Sequence, residues 1–143
     1  RVEEMRLAGI YHDLGKIALN PAVYTNSLET LTPTEILEFK RHPEIGYNIL
    51  RSVGAYAPFA EAVLHHHEMW DGSGYPQGLM KEDISLEAQI LSLCNYYADL
   101  TGPSLTRTRI SKEEAISSLL DCRNIYYKSE MVTIFIDKVL KNA

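Results

Sequence analysis

The chain has 143 residues, one domain's length, and 45% of them are hydrophobic, enough to bury a single ordinary core. A formal charge of −5 argues against a protein that grips duplex nucleic acid through a broad basic face, yet it leaves room for a small phosphate ligand held locally. No apolar run approaches the roughly 20 residues of a membrane span and no signal-peptide pattern opens the chain, so a cytoplasmic protein without a membrane segment is expected.

Val2, Met5, Leu7, Ala8 and Ile10 fall at near-helical spacing from the outset. With Arg1 in place of a start methionine, the chain reads as an excerpt of a longer protein. Thr32-Pro33-Thr34-Glu35 combines an N-cap, a proline at the first helical position and a capping-box glutamate, which predicts a helix over 33–41. His42-Pro43 breaks and restarts the chain, and Ile45, Ile49, Leu50 and Val53 keep helical period up to Gly54. A third helix is expected from about Pro58, carrying Ala60, Val63, Leu64 and three successive histidines. It cannot continue through Asp71-Gly72-Ser73-Gly74-Tyr75-Pro76, and Trp70 is expected to pack inward as the anchor of that loop. Ser85 reads as the N-cap of a long helix to about Thr101 with Leu86, Ile90, Leu93 and Tyr97 on one face. Ser111 to Glu114 is a second capping box, and Ser129 is expected to cap a final helix bearing Val132, Phe135, Ile136 and Val139. No alternating strand pattern competes, so the fold class is all-α and residues 1–143 form one domain. Cys94 and Cys122 lack CxxC spacing and are expected to be buried free thiols.

The chemistry lies with the histidines. His12, His42, His65, His66 and His67 all sit in the first half, beside helix ends or loops. His12-Asp13 offers an imidazole nitrogen next to a carboxylate whose two oxygens can bridge two cations, and His66-His67 offers two nitrogens at adjacent positions. A mixed nitrogen and oxygen donor set favours iron, manganese or zinc over calcium or magnesium.

HDLGKI at 12–17, KRHPEIG at 40–46, HHEMWDGSGYPQGL at 66–79 and ISLEAQILSL at 84–93 resemble the HD-GYP family, a branch of the HD metal-dependent phosphohydrolases. The resemblance runs from Met5 to about Ala115. It implies an HD-domain-like helical bundle with an extended Gly-rich loop, and hydrolysis of cyclic di-GMP in bacterial signalling with two or three divalent metal ions, iron or manganese. Matched motif by motif, it makes His12, Asp13, His42, His66 and His67 metal ligands, with Asp13 the bridging carboxylate. Lys16 would touch a phosphate oxygen or assist the departing oxygen, so Asp13 and Lys16 are the catalytic pair. Gly74, Tyr75 and Pro76 match the motif that names the family and would wall the substrate together with Lys16 and Arg107. His65 stands outside the matched pair and is expected to support its neighbours.

The match departs from the family in three places. Asn95 stands where the family has an aspartate ligand, a neutral donor for an anionic one, with Asp99 one turn farther on. The family's RPYR-like phosphate-binding stretch aligns with Ser104-Leu105-Thr106-Arg107, where only Arg107 keeps the charge. The upstream helix that brings a further histidine would precede Arg1, and with it a regulatory domain. Two functions follow: a metal-dependent cyclic dinucleotide phosphodiesterase, or a degenerate HD-GYP module that acts as a ligand sensor or protein-interaction domain.

Overall fold

The computed structural model describes residues 1–103 and 108–141, and among these every regular element is helical, with one isolated bridge between Arg123 and Tyr127. The elements run α1 (Val2–Tyr11), a 3-10 turn (Leu14–Ala18), α2 (Pro21–Thr25), α3 (Pro33–Phe39), α4 (His42–Ser52), α5 (Ala57–Leu64), α6 (Leu86–Thr101), α7 (Lys112–Asp121) and α8 (Ser129–Ile134), which continues as a π turn over Phe135–Leu140. No helix of the described residues is long and apolar enough to cross a membrane.

Local chemistry sets most helix starts. The Thr32 hydroxyl accepts the Glu35 N–H at 3.3 Å while the Glu35 carboxylate accepts the Thr32 N–H at 2.8 Å. Ser111 and Glu114 repeat the arrangement at α7, and Ser85 caps α6 by accepting the Ala88 N–H at 3.3 Å. Two elements differ from expectation. α2 has too short an apolar pattern to announce itself, yet Asn20 accepts the Ala22 N–H at 3.1 Å and Pro21 occupies the first turn. Ser129 is the first helical residue and not the cap, because its N–H goes to the Asn124 side chain at 3.3 Å and Lys128 takes the cap position.

Two apolar clusters share α6. Ala8 of α1, Leu50 of α4, Phe59 and Val63 of α5 and Leu91 of α6 form the first, directly behind the histidine-bearing helix ends. Leu93, Leu119, Tyr127, Val132 and Ile136 form the second, and Leu19, Val23 and Leu31 a small third under α3. Full burial of a leucine such as Leu50 or Leu119 contributes about 1.5–3 kcal/mol. α6 turns Ala88, Leu91, Ser92 and Leu93 inward, so Leu86 and Ile90 of the expected inner face stay exposed. Cys122 is buried as expected, but Cys94, beside Leu93 on the outer flank of α6, is exposed.

Candidate functional site

Three helix ends deliver the histidines. α1 stops at Tyr11 with His12 as its C-cap; α4 starts at His42; α5 stops at Leu64, so His65, His66 and His67 occupy the turn after the helix and not its last turn. A helix end leaves carbonyls without an N–H partner, and three imidazoles use them. His12 Nδ1 donates to Gly9 O at 2.7 Å, His42 Nδ1 to Phe39 O at 2.7 Å, and His66 Nδ1 to Val63 O at 2.6 Å. The Phe39 carbonyl is free because Pro43, four residues on, has no N–H to give it. A carbonyl can only accept, so Nδ1 carries a proton in each ring and Nε2 is the nitrogen left to face a ligand.

The ring nitrogens converge. The ligand nitrogens of His42, His66 and His67 lie within 4.8 Å of one another, and His42 Nε2 is 3.1 Å from His67 Nε2. Asp13 Oδ1 stands 3.4 Å from His42 Nε2, and Asp13 Oδ2 is 3.5 Å from His12 Nε2. Among the described residues, both Asp13 Oδ1 and His66 Nε2 are buried without a hydrogen-bond partner. Burial pushes the His42 imidazole down to about 4 and His66 to about 3, and His67, also beside the other rings, is lowered further. Burial works to raise the Asp13 carboxyl, but His12, Lys16 and His42 together hold it below the ordinary carboxylate range. At neutral pH His42, His66 and His67 are therefore neutral imidazoles beside an ionised Asp13 carboxylate.

Gly15 makes the convergence possible. A Cβ there would lie 1.9 Å from the His42 carbonyl oxygen and 2.7 Å from the Gly46 nitrogen, so only glycine lets the 3-10 turn carrying Asp13 and Lys16 press onto α4. Lys16 Nζ donates to Asp13 Oδ2 at 2.6 Å and stands 5.3 Å from the centre of the Phe39 ring.

The loop after the histidines folds back over them. Tyr75 stacks on His67, with ring centres 4.8 Å apart and planes 15° from parallel, and its N–H donates to His67 O at 3.1 Å. Its phenol is pushed well above the usual range by burial, assisted by the charges of Asp13 and Asp99. The Tyr75-Pro76 bond is cis, and Gly74 lies so close to the His67 carbonyl that a Cβ would come within 2.4 Å of it. Glu68, which the sequence argument passed over, holds the far limb of the loop: buried to 2% exposure, it accepts the N–H of Gln77 at 2.6 Å and of Leu79 at 2.9 Å. Its sequence signal is its place within the HHEMWDGSGYPQGL stretch, an acidic residue set between the histidines and the glycine-rich turn. Trp70 is half-buried and tied through its backbone, donating to Tyr126 O at 3.0 Å and accepting from Lys81 at 3.1 Å, so it anchors the loop by its main chain as much as by its indole.

A family model described as "HD domain" matches residues 1–130. The chain belongs to the HD domain family. Among curated proteins, this HD domain is 35% identical over 141 residues to a cyclic di-GMP phosphodiesterase of Pseudomonas aeruginosa, covering 96% of this chain and 33% of that protein. It is 32% identical over 137 residues to a cyclic di-GMP phosphodiesterase of Thermotoga maritima, covering 94% of this chain and 37% of the relative. The chain thus spans about a third of these relatives' length. Among solved structures, an HD-GYP-type protein of Bdellovibrio bacteriovorus superposes with a TM-score of 0.72 at 22% identity, covering 97% of this chain and 44% of that one, and shares the all-α fold. The HD-GYP resemblance read from the motifs stands with these matches.

Of the residues singled out in the sequence, the HD domain brings His12, Asp13, Lys16, His42, His66, His67 and Tyr75 together. His65 sits at the C-cap of α5, its Nδ1 3.8 Å from Glu61, away from the converging nitrogens. Asn95 is half-buried and lies one turn beyond Leu91 on the α6 stripe that faces α1 and α5. Arg107 lies outside the described residues, as do Ser104, Leu105 and Thr106.

Proposed function

We propose that this HD domain forms the hydrolytic part of a metal-dependent phosphodiesterase that cuts a cyclic dinucleotide, with cyclic di-GMP as the first substrate to test. One observation carries the reading: ring nitrogens of His42, His66 and His67 lie within 4.8 Å of one another, and beside them Asp13 Oδ1 and His66 Nε2 are buried without a hydrogen-bond partner among the described residues. Buried polar atoms without a partner are costly, a divalent cation set among these nitrogens and the carboxylate would satisfy them, and the mixed nitrogen and oxygen set suits iron or manganese. The ligands we assign are His12, Asp13, His42, His66 and His67, with Asn95 as a neutral contributor from α6. Bound divalent ions supply positive charge for the phosphoryl oxygens and ease deprotonation of the attacking water.

The chain's own residues do the rest. Asp13, ionised at neutral pH, carries one oxygen towards His42 and the other towards His12, so a single carboxylate can serve two cations. Lys16, held by Asp13, has an ammonium at hand for a phosphoryl oxygen or the leaving 3′ oxygen. Tyr75 keeps its proton and, with Gly74 and Pro76, walls the cluster on the loop side. Arg107 is assigned to a substrate phosphate because it keeps the charge of the family's aligned phosphate-binding stretch. In this reading residues 1–143 are one cytoplasmic hydrolase domain, and a regulatory domain accounts for part of the length by which the relatives exceed it.

Asn95 favours a second reading, in which a weakened centre binds the dinucleotide without turnover and signals by binding. Purification without oxygen, metal analysis, and chromatography of cyclic di-GMP and 3′3′-cyclic GMP-AMP after incubation test both. Bound iron or manganese with a linear or mononucleotide product supports the enzyme, and metal with ligand binding but no product supports the sensor. Neither metal nor nucleotide binding overturns both.

A further inference from the structure

The corner between α3 and α4 is short, and its two sides face different parts of the site. Phe39 closes α3, gives its carbonyl to His42 and carries Lys16 over its ring. The next residue, Lys40, is exposed and places its ammonium 5.2 Å from the centre of the Tyr75 ring. The Tyr75 ring that Lys40 meets is the one stacked on His67. The protein thus sets two lysines about the histidine cluster. Lys16 is committed to Asp13 at 2.6 Å, whereas Lys40 has no carboxylate partner among the described residues and is held only by an aromatic face.

An exposed ammonium resting on an aromatic face is weakly held, and an ammonium–phosphate contact is a stronger interaction, so an arriving phosphate can take Lys40 from Tyr75. The substrate class has two phosphodiester groups on one ring, and only one is cut in a given encounter. Resting on the phosphodiesterase reading above, we infer that Lys40 binds the phosphate that is not being cut. Lys16 and the histidine cluster take the scissile group, and Tyr75 stands between the two. Lys40 then contributes to affinity for a cyclic dinucleotide and not to the bond-breaking step, so it separates a ligand with two phosphates from one with a single phosphodiester.

The test compares wild type with Lys40→Met and Lys40→Arg in the protein loaded with manganese. Titration calorimetry gives Kd for cyclic di-GMP, and steady-state kinetics give kcat and KM for cyclic di-GMP and for bis(p-nitrophenyl) phosphate, which has one phosphodiester. For Lys40→Met we expect Kd and KM for cyclic di-GMP to rise on the order of tenfold. Its kcat should stay within about twofold, its thermal midpoint should not move, and bis(p-nitrophenyl) phosphate should be cut as by wild type. Lys40→Arg should keep most of the affinity. If wild type binds cyclic di-GMP and Lys40→Met binds it equally well, the role of Lys40 is refuted and the phosphodiesterase reading stands. If Lys40→Met slows both substrates in kcat alike, Lys40 serves the reaction centre and the second-phosphate role is wrong. If wild type binds no cyclic dinucleotide at all, the phosphodiesterase reading fails and the assignment of Lys40 fails with it.

Discussion

Glu68 offers the sharpest test of how the loop is held over the histidines. Its buried carboxylate accepts two backbone N–H groups, from Gln77 and Leu79, and so fastens the descending limb of the loop that carries Tyr75. Glu68→Gln keeps the shape and one accepting oxygen but turns an NH2 group towards the second backbone N–H. A hydrogen bond to a charged acceptor contributes about 1.5–3 kcal/mol, and loss of one with a donor facing a donor should cost about 2–3 kcal/mol. For a chain of 143 residues that corresponds to a fall in Tm of about 6–12 °C. The assay is urea and thermal unfolding by circular dichroism with chelator present, so that metal affinity does not enter. Trp70, the single tryptophan and two residues away, reports locally: its emission should shift to the red as the loop loosens. Glu82→Gln, at an exposed position, should stay within about 0.5 kcal/mol of wild type. If Glu68→Gln unfolds within that same margin and leaves the Trp70 emission unchanged, the clasp is not what holds the loop.

Gly15→Ala should destabilise the protein by about 1–3 kcal/mol or more and weaken manganese binding, because its methyl group would force Asp13 away from His42; calorimetric titration with Mn2+ checks this, and unchanged affinity would refute it. His42, lowered by burial from 6.5 to about 4, and His66, lowered to about 3, bind fewer protons folded than unfolded, so the metal-free protein should lose stability as pH falls from about 6.5 towards 4. Each contributes a slope of up to about 1.4 kcal/mol per pH unit, and urea midpoints that stay flat between pH 7 and pH 5 would sink this account. Asn95→Asp adds an anion on the α6 face turned towards α1 and α5 and should tighten Mn2+ binding about tenfold; calorimetry that finds no change would remove α6 from the ligand set.

The elements that could be read from the sequence are those whose cause is local. Thr32 with Glu35, and Ser111 with Glu114, are complete reciprocal caps within four residues, so neither needs the rest of the chain to be recognised. The histidines were legible through their motifs, and the stop after the third helix through its glycines. What escaped depends on contacts distant in the chain. Ser129 lost the cap position to a bond from Asn124, and α6 chose its inner face by packing small Ala88 against its neighbours. The exposure of Cys94 follows from that rotation. Glu68 escaped because its two partners lie nine and eleven residues on, across a loop whose path no periodicity describes.

The shared Nδ1–carbonyl bonds at Gly9, Phe39 and Val63 bear on what it costs to gather a ligand set. A free imidazole must give up rotamer freedom when it is captured, about 0.5–1.5 kcal/mol for each side chain fixed on binding. Here the last turn of α1, the close of α3 and the last turn of α5 have already fixed three rings as part of folding. On the order of 2–4 kcal/mol of ordering is thereby complete before any cation arrives. Each ring is aimed by a carbonyl three residues upstream on its own segment. Substitutions elsewhere in the core can therefore change how tightly the helices pack while leaving the direction of each donor intact.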